Sequence, residues 1–182
     1  AEEALRRAQQ AGAQGRGLQA QAELQAALRE DPSYATARLL LAQAFVEQGR
    51  APDARALLAD GLAADPVQPR LALALARLQV ERNDLDEAIK VLRRAAPAAT
   101  GSAEFRGYLA GILQKAGRAK EAAEEYQAAL RLSPLAGVWW MGLGLSLEAD
   151  GRAAEAREAF QKARASGSLS PELSAFVEQK LR

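Results

Sequence analysis

The sequence contains neither cysteine nor histidine. Without cysteine, the chain can form no disulfide, no thiolate metal site and no thiol nucleophile. Without histidine, it lacks the most common general base and the most common metal ligand. Acidic and basic residues almost cancel, with 24 Lys and Arg against 23 Asp and Glu, so we expect no basic surface for phosphate binding. These absences argue against an enzyme, a bound cofactor or metal, and a nucleic-acid partner.

Aromatic residues are also scarce, at 5%, although hydrophobic residues make up 49% of the chain. Most of the apolar residues are therefore alanine and leucine, which have high helix propensity, and few β-branched residues remain to build strands. The longest apolar stretch, from Leu135 to Leu145, is about half of the ~20 residues that a membrane-spanning helix needs. We therefore expect an all-α chain with no direct membrane insertion in this segment.

A repeat of 34 residues runs through the chain without insertions, in rows that begin at residues 1, 35, 69, 103 and 137. Five columns hold the same kind of residue in most or all rows: Gly or Asn at place 15, small residues at places 20 and 27, a large apolar residue at place 24, and mostly Pro at place 32. Column by column, these residues are Gly15, Gly49, Asn83, Gly117, Gly151; Ala20, Ala54, Ala88, Ala122, Ala156; Ala27, Gly61, Ala95, Ala129, Ala163; Leu24, Leu58, Leu92, Tyr126, Phe160; Pro32, Pro66, Thr100, Pro134, Ser168.

These columns predict two helices in each row. A Gly or Asn suits the left-handed residue that ends a helix, and Pro stops the second helix. Small residues let two helices approach closely, and the eighth place of the first helix is also small in every row: Ala8, Ala42, Ala76, Ala110 and Gly144. In row three, we expect Asp84 and Glu87 to form a capping box, and Pro97 to end the second helix near Ala96.

This 34-residue helix–turn–helix pattern resembles the tetratricopeptide repeat (TPR). Row five, with Trp140, Leu143, Phe160 and Ala163, matches best, whereas row one departs most, at Arg7 and Ala11. The resemblance implies one domain over residues 1–182, a right-handed α-solenoid that acts as a protein-binding scaffold. Its expected parts are repeats 1–34, 35–68, 69–102, 103–136 and 137–170, followed by a capping helix at 171–182.

A narrower resemblance concerns residues 137–148, GVWWMGLGLSLE, together with the C-terminal tail. This part is similar to the C-terminal TPR region of MshN-type proteins, which implies an assembly factor in bacterial pilus or envelope biogenesis. It also implies a periplasm-facing location with a membrane anchor upstream. Two alternatives stay open: a generic cytoplasmic TPR adaptor, and a TPR accessory region of a larger enzyme such as a polysaccharide synthase.

The TPR resemblance further implies that a partner binds in a concave groove lined by the first helices. The predicted partner-binding residues are Leu39, Gln43, Leu73, Arg77, Tyr108, Gly111, Met141 and Leu145. Their mixture of apolar and polar side chains favours an apolar or amphipathic peptide or protein, and it leaves association of identical chains open. Chaperone-binding TPRs carry Lys and Asn where this chain has Leu5 and Gln9, so a heat-shock co-chaperone role is not expected.

Two pairs of residues allow alternative interpretations. Gly107 and Gly111 lie one helical turn apart, where each costs ~1 kcal/mol relative to alanine. We expect Met141 or Trp139 to fill the space beside them, and the alternative is a bare backbone floor for a ligand. Trp140 holds the consensus core place, whereas Trp139 either packs between repeats or anchors a partner.

Overall fold

The computed structural model describes residues 1–182 as eleven α-helices without a β-strand. The helices are α1 Glu2–Ala13, α2 Gly17–Glu30, α3 Ala35–Glu47, α4 Ala51–Ala64, α5 Pro69–Glu81, α6 Leu85–Ala95, α7 Ala103–Lys115, α8 Ala119–Leu132, α9 Gly137–Ala149, α10 Ala153–Ala165 and α11 Pro171–Leu181. They form successive hairpins in the order that the 34-residue repeat predicts. The fold is therefore an all-α solenoid of helical hairpins followed by a C-terminal helix. None of the helices combines the length and the apolarity needed to cross a membrane.

All five predicted turns are confirmed by the backbone conformation. The residue at place 15 has a positive φ in every row: 71° at Gly15, 74° at Gly49, 64° at Asn83, 74° at Gly117 and 78° at Gly151. In each turn, the next amide closes the helix end by donating to a carbonyl five residues earlier, as Arg50 N does to Phe45 O at 2.8 Å. This is the Schellman arrangement, which requires a left-handed residue and therefore favours glycine or asparagine.

The small residues at place 8 allow the two helices of each hairpin to approach closely. The alanines at this place, from Ala8 to Ala110, are at most 3% exposed. In row five, the ring of Phe160 lies only 2.7 Å from the position that a Cβ of Gly144 would occupy. Glycine is therefore required where α9 meets α10.

The end of α6 agrees with the prediction, but its beginning does not. The α-helix ends at Ala95, and a three-residue 3₁₀ turn, Ala96–Ala98, follows it and contains Pro97. The predicted capping box is wrong, because the side chain of Asp84 accepts no hydrogen bond from the first turn of α6. Its carboxylate instead accepts from Arg82 Nε at 2.9 Å, and Glu87 pairs with Lys90. The nearby cations compete with the backbone amides for these carboxylates.

The chain forms two compact units, Ala1–Ala98 and Ala99–Arg182. In the first unit, Leu24, Phe45 and Leu58 belong to the buried core. In the second, Tyr126, Phe160 and Val177 do so, and Val177 shows that the capping helix α11 contributes to that core. The boundary follows the 3₁₀ turn at the end of row three. The single domain over residues 1–182 stays a prediction.

Candidate functional site: a groove between α3 and α5

A groove with a volume of about 660 Å³ lies between α3 and α5 in the first unit. Its α3 side is formed by Thr36, Leu39, Leu40, Gln43 and Val46, and its α5 side by Arg70, Leu73, Ala74, Arg77 and Glu81. The structure thus brings together four of the predicted partner-binding residues: Leu39, Gln43, Leu73 and Arg77. We call this surface the α3–α5 groove.

The groove exists because α3 is apolar on two faces. One face, with Leu41 and Phe45, is buried in the core of the first unit. The other carries Leu39, Leu40 and Val46: the two leucines are half-buried at the edge of that core, and Val46 is 40% exposed. The second face therefore leaves apolar surface partly open to solvent, which suits contact with a partner.

Charged groups border this apolar strip on the α5 side. Arg70 and Arg77 lie two helical turns apart, and Glu81 follows one turn after Arg77. Opposite them, Gln43 Nε2 donates to Glu47 Oε1 at 2.9 Å. No group of three or more His, Cys, Asp or Glu side chains is close enough to hold a metal ion. The arrangement offers apolar contacts and guanidinium hydrogen bonds, which suits an amphipathic chain that carries carboxylates.

The other four predicted residues lie in the second unit, and all four are half-buried: Tyr108 and Gly111 on α7, Met141 and Leu145 on α9. Beside them, the indole of Trp139 packs against Gly107, with its Nε1 2.5 Å from the position of a Cβ there. The prediction that Trp139 fills the space beside the helical glycines is confirmed for Gly107. It is wrong for Gly111: the nearest side-chain atom to the position of a Cβ there is the hydroxyl oxygen of Tyr126, at 3.7 Å.

Trp140 packs against the core of the second unit, as its consensus place predicted, but it is not fully buried there. It is half-buried, its Nε1 donates to Pro134 O at 2.7 Å, and Lys162 Nζ lies 4.6 Å from the ring centre. Leu143 and Leu147 supply the buried side chains of this helix instead. The indole reaches the loop before α9 because its nitrogen requires a hydrogen-bond acceptor.

Sequence reasoning missed Arg38, a buried arginine without a carboxylate partner. It is 9% exposed, and its guanidinium donates to Leu57 O at 2.8 Å and to Pro32 O at 2.6 Å. Its Cδ lies 2.5 Å from the position of a Cβ on Gly61. Gly61 is the one glycine at place 27 of the repeat, where the other rows have alanine. This difference in the sequence could have indicated that a neighbouring side chain lies where a Cβ of residue 61 would be.

Sequence reasoning also missed Gln79, a residue of α5. Its Oε1 is buried and accepts no hydrogen bond. The corresponding place in the other rows holds Ala11, Phe45, Leu113 and Leu147, all of which are buried. A polar residue in this apolar column was the signal in the sequence.

Comparisons with known proteins agree with this architecture. Two family models described as tetratricopeptide repeat match the chain, one over residues 11–78 and 61–112 and the other over residues 109–171. The similar solved structures include MamA AMB-1, with 28% sequence identity and a TM-score of 0.73, covering 96% of this chain and 93% of that chain. MamA from Desulfovibrio magneticus RS-1 has 17% identity and a TM-score of 0.73, covering 91% and 94%.

YrrB, whose structure is described as that of a TPR protein with an unusual peptide-binding site, has 20% identity and a TM-score of 0.77, covering 94% of this chain and 88% of that chain. For YrrB and the Desulfovibrio protein, the likeness is one of fold. No curated protein matches the sequence. Since the family models together extend from residue 11 to residue 171, the chain belongs to the tetratricopeptide repeat family.

Proposed function

We propose that this protein is a non-catalytic interaction scaffold, which binds an amphipathic peptide or protein segment in the α3–α5 groove. The observation that carries the proposal is the second apolar face of α3, which is partly exposed opposite Arg70 and Arg77. Membership of the tetratricopeptide repeat family and the fold shared with YrrB, a TPR protein with a peptide-binding site, support it. The partner contributes apolar side chains to Leu39 and Leu73, and a carboxylate to Arg70.

The narrower role in pilus or envelope assembly stays a prediction. It rests on residues 137–148 and the C-terminal tail, and neither the tetratricopeptide repeat models nor the MamA and YrrB structures carry a pilus-related name. The cytoplasmic adaptor and the accessory region of a larger enzyme are the competing predictions. The full reading frame distinguishes them, because an upstream membrane anchor supports the envelope role and an attached catalytic domain supports the accessory role.

The proposed groove is tested with peptides selected on the protein itself. Random 16-residue peptides displayed on phage are selected against the full chain, and the tightest binder is synthesised and measured by calorimetry. Leu73→Glu should reduce its affinity by about 30-fold, as expected when a central apolar contact is replaced by a charge. The matched control is Leu18→Glu, since Leu18 is 83% exposed and lies outside the groove.

Leu18→Glu should bind as the wild type does, and both variants should keep the melting temperature of the wild type by circular dichroism. Normal binding by a folded Leu73→Glu protein would contradict the proposed site. Tyr108 is tested separately, because it belongs to the second unit. Because Tyr108 is half-buried, Tyr108→Ala should cost ~1 kcal/mol of stability, more than a surface substitution usually does. It should weaken binding by ~2 kcal/mol if Tyr108 is a hot spot.

A further inference from the structure

Gln79 occupies a place where an apolar side chain would suit the fold better. In the other rows, the corresponding residues Ala11, Phe45, Leu113 and Leu147 are at most 8% exposed. The Oε1 of Gln79 is buried without a hydrogen-bond donor, and its side chain makes no hydrogen bond to any residue of the chain. Burying a carbonyl oxygen without a partner destabilises a protein. The fold itself therefore gives no reason for a glutamine here.

The side chain borders a groove that shares no polar residue with the α3–α5 groove. Two depressions of about 390 and 240 Å³ lie between α4 and α6, and both are lined by Ala59, Leu75, Gln79 and Glu87. They therefore form one continuous surface, which we call the α4–α6 groove. Leu75 and Gln79 belong to α5, and α4 and α6 supply the two sides.

The shape of this groove suits another helix. Its α4 side carries Ala56, Ala59 and Ala63, three and four residues apart, so that their methyl groups follow one face of the helix. Short side chains allow a partner helix to pack at the close end of the usual range of about 8–10 Å between axes. From Pro52 to Ala63, the α4 side is ~16 Å long, which matches about three helical turns.

The charges around the groove favour an acidic partner. Arg82 pairs with Asp84 at 2.9 Å, and Glu87 pairs with Lys90 at 3.4 Å. Arg55 and Arg94, which line the two depressions, form no ion pair and no hydrogen bond through their side chains. Each has room for a carboxylate supplied from outside the chain.

We propose that the α4–α6 groove is a second docking site, for an acidic amphipathic helix of a partner protein. The helix packs small apolar side chains against Ala59, and its carboxylates pair with Arg55 and Arg94. A serine or amide group at its centre donates a hydrogen bond to Gln79. The terminal torsion of glutamine is broad, so the amide can turn toward a donor in the groove.

A stapled helical peptide provides the test. The probe has 16 residues, with alanine and leucine on one face, a central serine on that face, and glutamate on both flanks. Its twin carries lysine in place of every glutamate. Each is titrated into the ¹⁵N-labelled full chain and followed by NMR. The acidic peptide should shift the amide signals of α4 and α6 together with the side-chain amide of Gln79, whereas the lysine twin should shift none of them.

Two variants of α4 form a matched pair. Ala59→Trp fills the groove and should weaken binding at least fivefold. Ala64→Trp introduces the same side chain at another exposed alanine of α4, outside both depressions, and should leave binding unchanged. Leu73→Glu, which blocks the α3–α5 groove, should also leave it unchanged. The failure of one site is thereby distinguished from the failure of the other.

Gln79→Leu supplies a second measurement. It removes the unpartnered oxygen, so the melting temperature of the free protein should rise by about 2–4 °C, while affinity for the acidic peptide should fall. A rise in melting temperature without any peptide binding would overturn the proposal, because an ordered water would then be the only partner of Gln79. Equal binding of the two peptides, or equal effects of the two tryptophan variants, would overturn it as well.

Discussion

The contact between Gly107 and Trp139 makes a quantitative prediction about two neighbouring glycines. A Cβ added at Gly107 would lie 2.5 Å from Trp139 Nε1 and 2.6 Å from its Cε2, so the indole would have to move by about 1 Å to reach normal contact. Overpacking of this kind costs about 1–3 kcal/mol. The gain in helix propensity from Gly to Ala is ~1 kcal/mol. Gly107→Ala should therefore destabilise the protein by ~1 kcal/mol.

Gly111→Ala is the matched control, one turn further along α7. Its added methyl group would meet only the Tyr126 hydroxyl, at the ordinary contact distance of 3.7 Å. The propensity gain then remains, and this variant should be more stable than the wild type by ~1 kcal/mol. Both free energies of unfolding are measured by urea titration of the full chain, monitored by far-UV circular dichroism.

A double-mutant cycle assigns the difference to the indole. In a Trp139→Ala background the obstacle is gone, so Gly107→Ala should now stabilise the protein by ~1 kcal/mol, which gives a coupling energy of ~2 kcal/mol. The reasoning is refuted if Gly107→Ala stabilises the wild type as much as Gly111→Ala does. It is also refuted if the effect of Gly107→Ala is the same with and without Trp139.

Three further predictions concern other contacts. Gly61→Ala should lower the free energy of unfolding by ~1 kcal/mol, because the overpacking cost of about 1–3 kcal/mol against the buried Arg38 side chain exceeds the propensity gain of ~1 kcal/mol; urea titration checks this, and no loss would contradict it. Burial raises the pKa of Tyr126 to about 12 from 10.0, so the unfolded chain releases this proton first as pH rises. Stability should be intact below pH 10 and fall by about 3 kcal/mol between pH 10 and 12, and Tyr126→Phe should remove this dependence. Trp140→Ala should lower the free energy of unfolding by only about 2 kcal/mol, below the usual 3–5 kcal/mol for a core tryptophan, because the ring is half-buried beneath Lys162. A loss of about 3 kcal/mol or more in urea titration would contradict this and indicate that Trp140 acts as a full core residue.

The sequence alone determined the helical hairpins and their turns. A 34-residue period fixes which side chains share a helix face, and only Gly or Asn readily takes the left-handed conformation found at Gly49 and Asn83. These features depend on local conformation and on period, which a sequence displays directly. The resemblance to the TPR family, rather than the period itself, named the groove residues, and four of the eight residues that it implied line the α3–α5 groove: Leu39, Gln43, Leu73 and Arg77.

Only the tertiary structure decided which atoms meet. The indole of Trp140 donates a hydrogen bond to Pro134 O at the edge of the core. The carboxylate of Asp84 accepts a hydrogen bond from Arg82 and not from the backbone amides that it was expected to cap. The buried oxygen of Gln79 and the α4–α6 groove likewise result from three helices whose side chains are distant in sequence. A polar side chain can often form hydrogen bonds of similar strength with several groups. Which of these bonds forms depends on distances in three dimensions, which the repeat pattern does not specify.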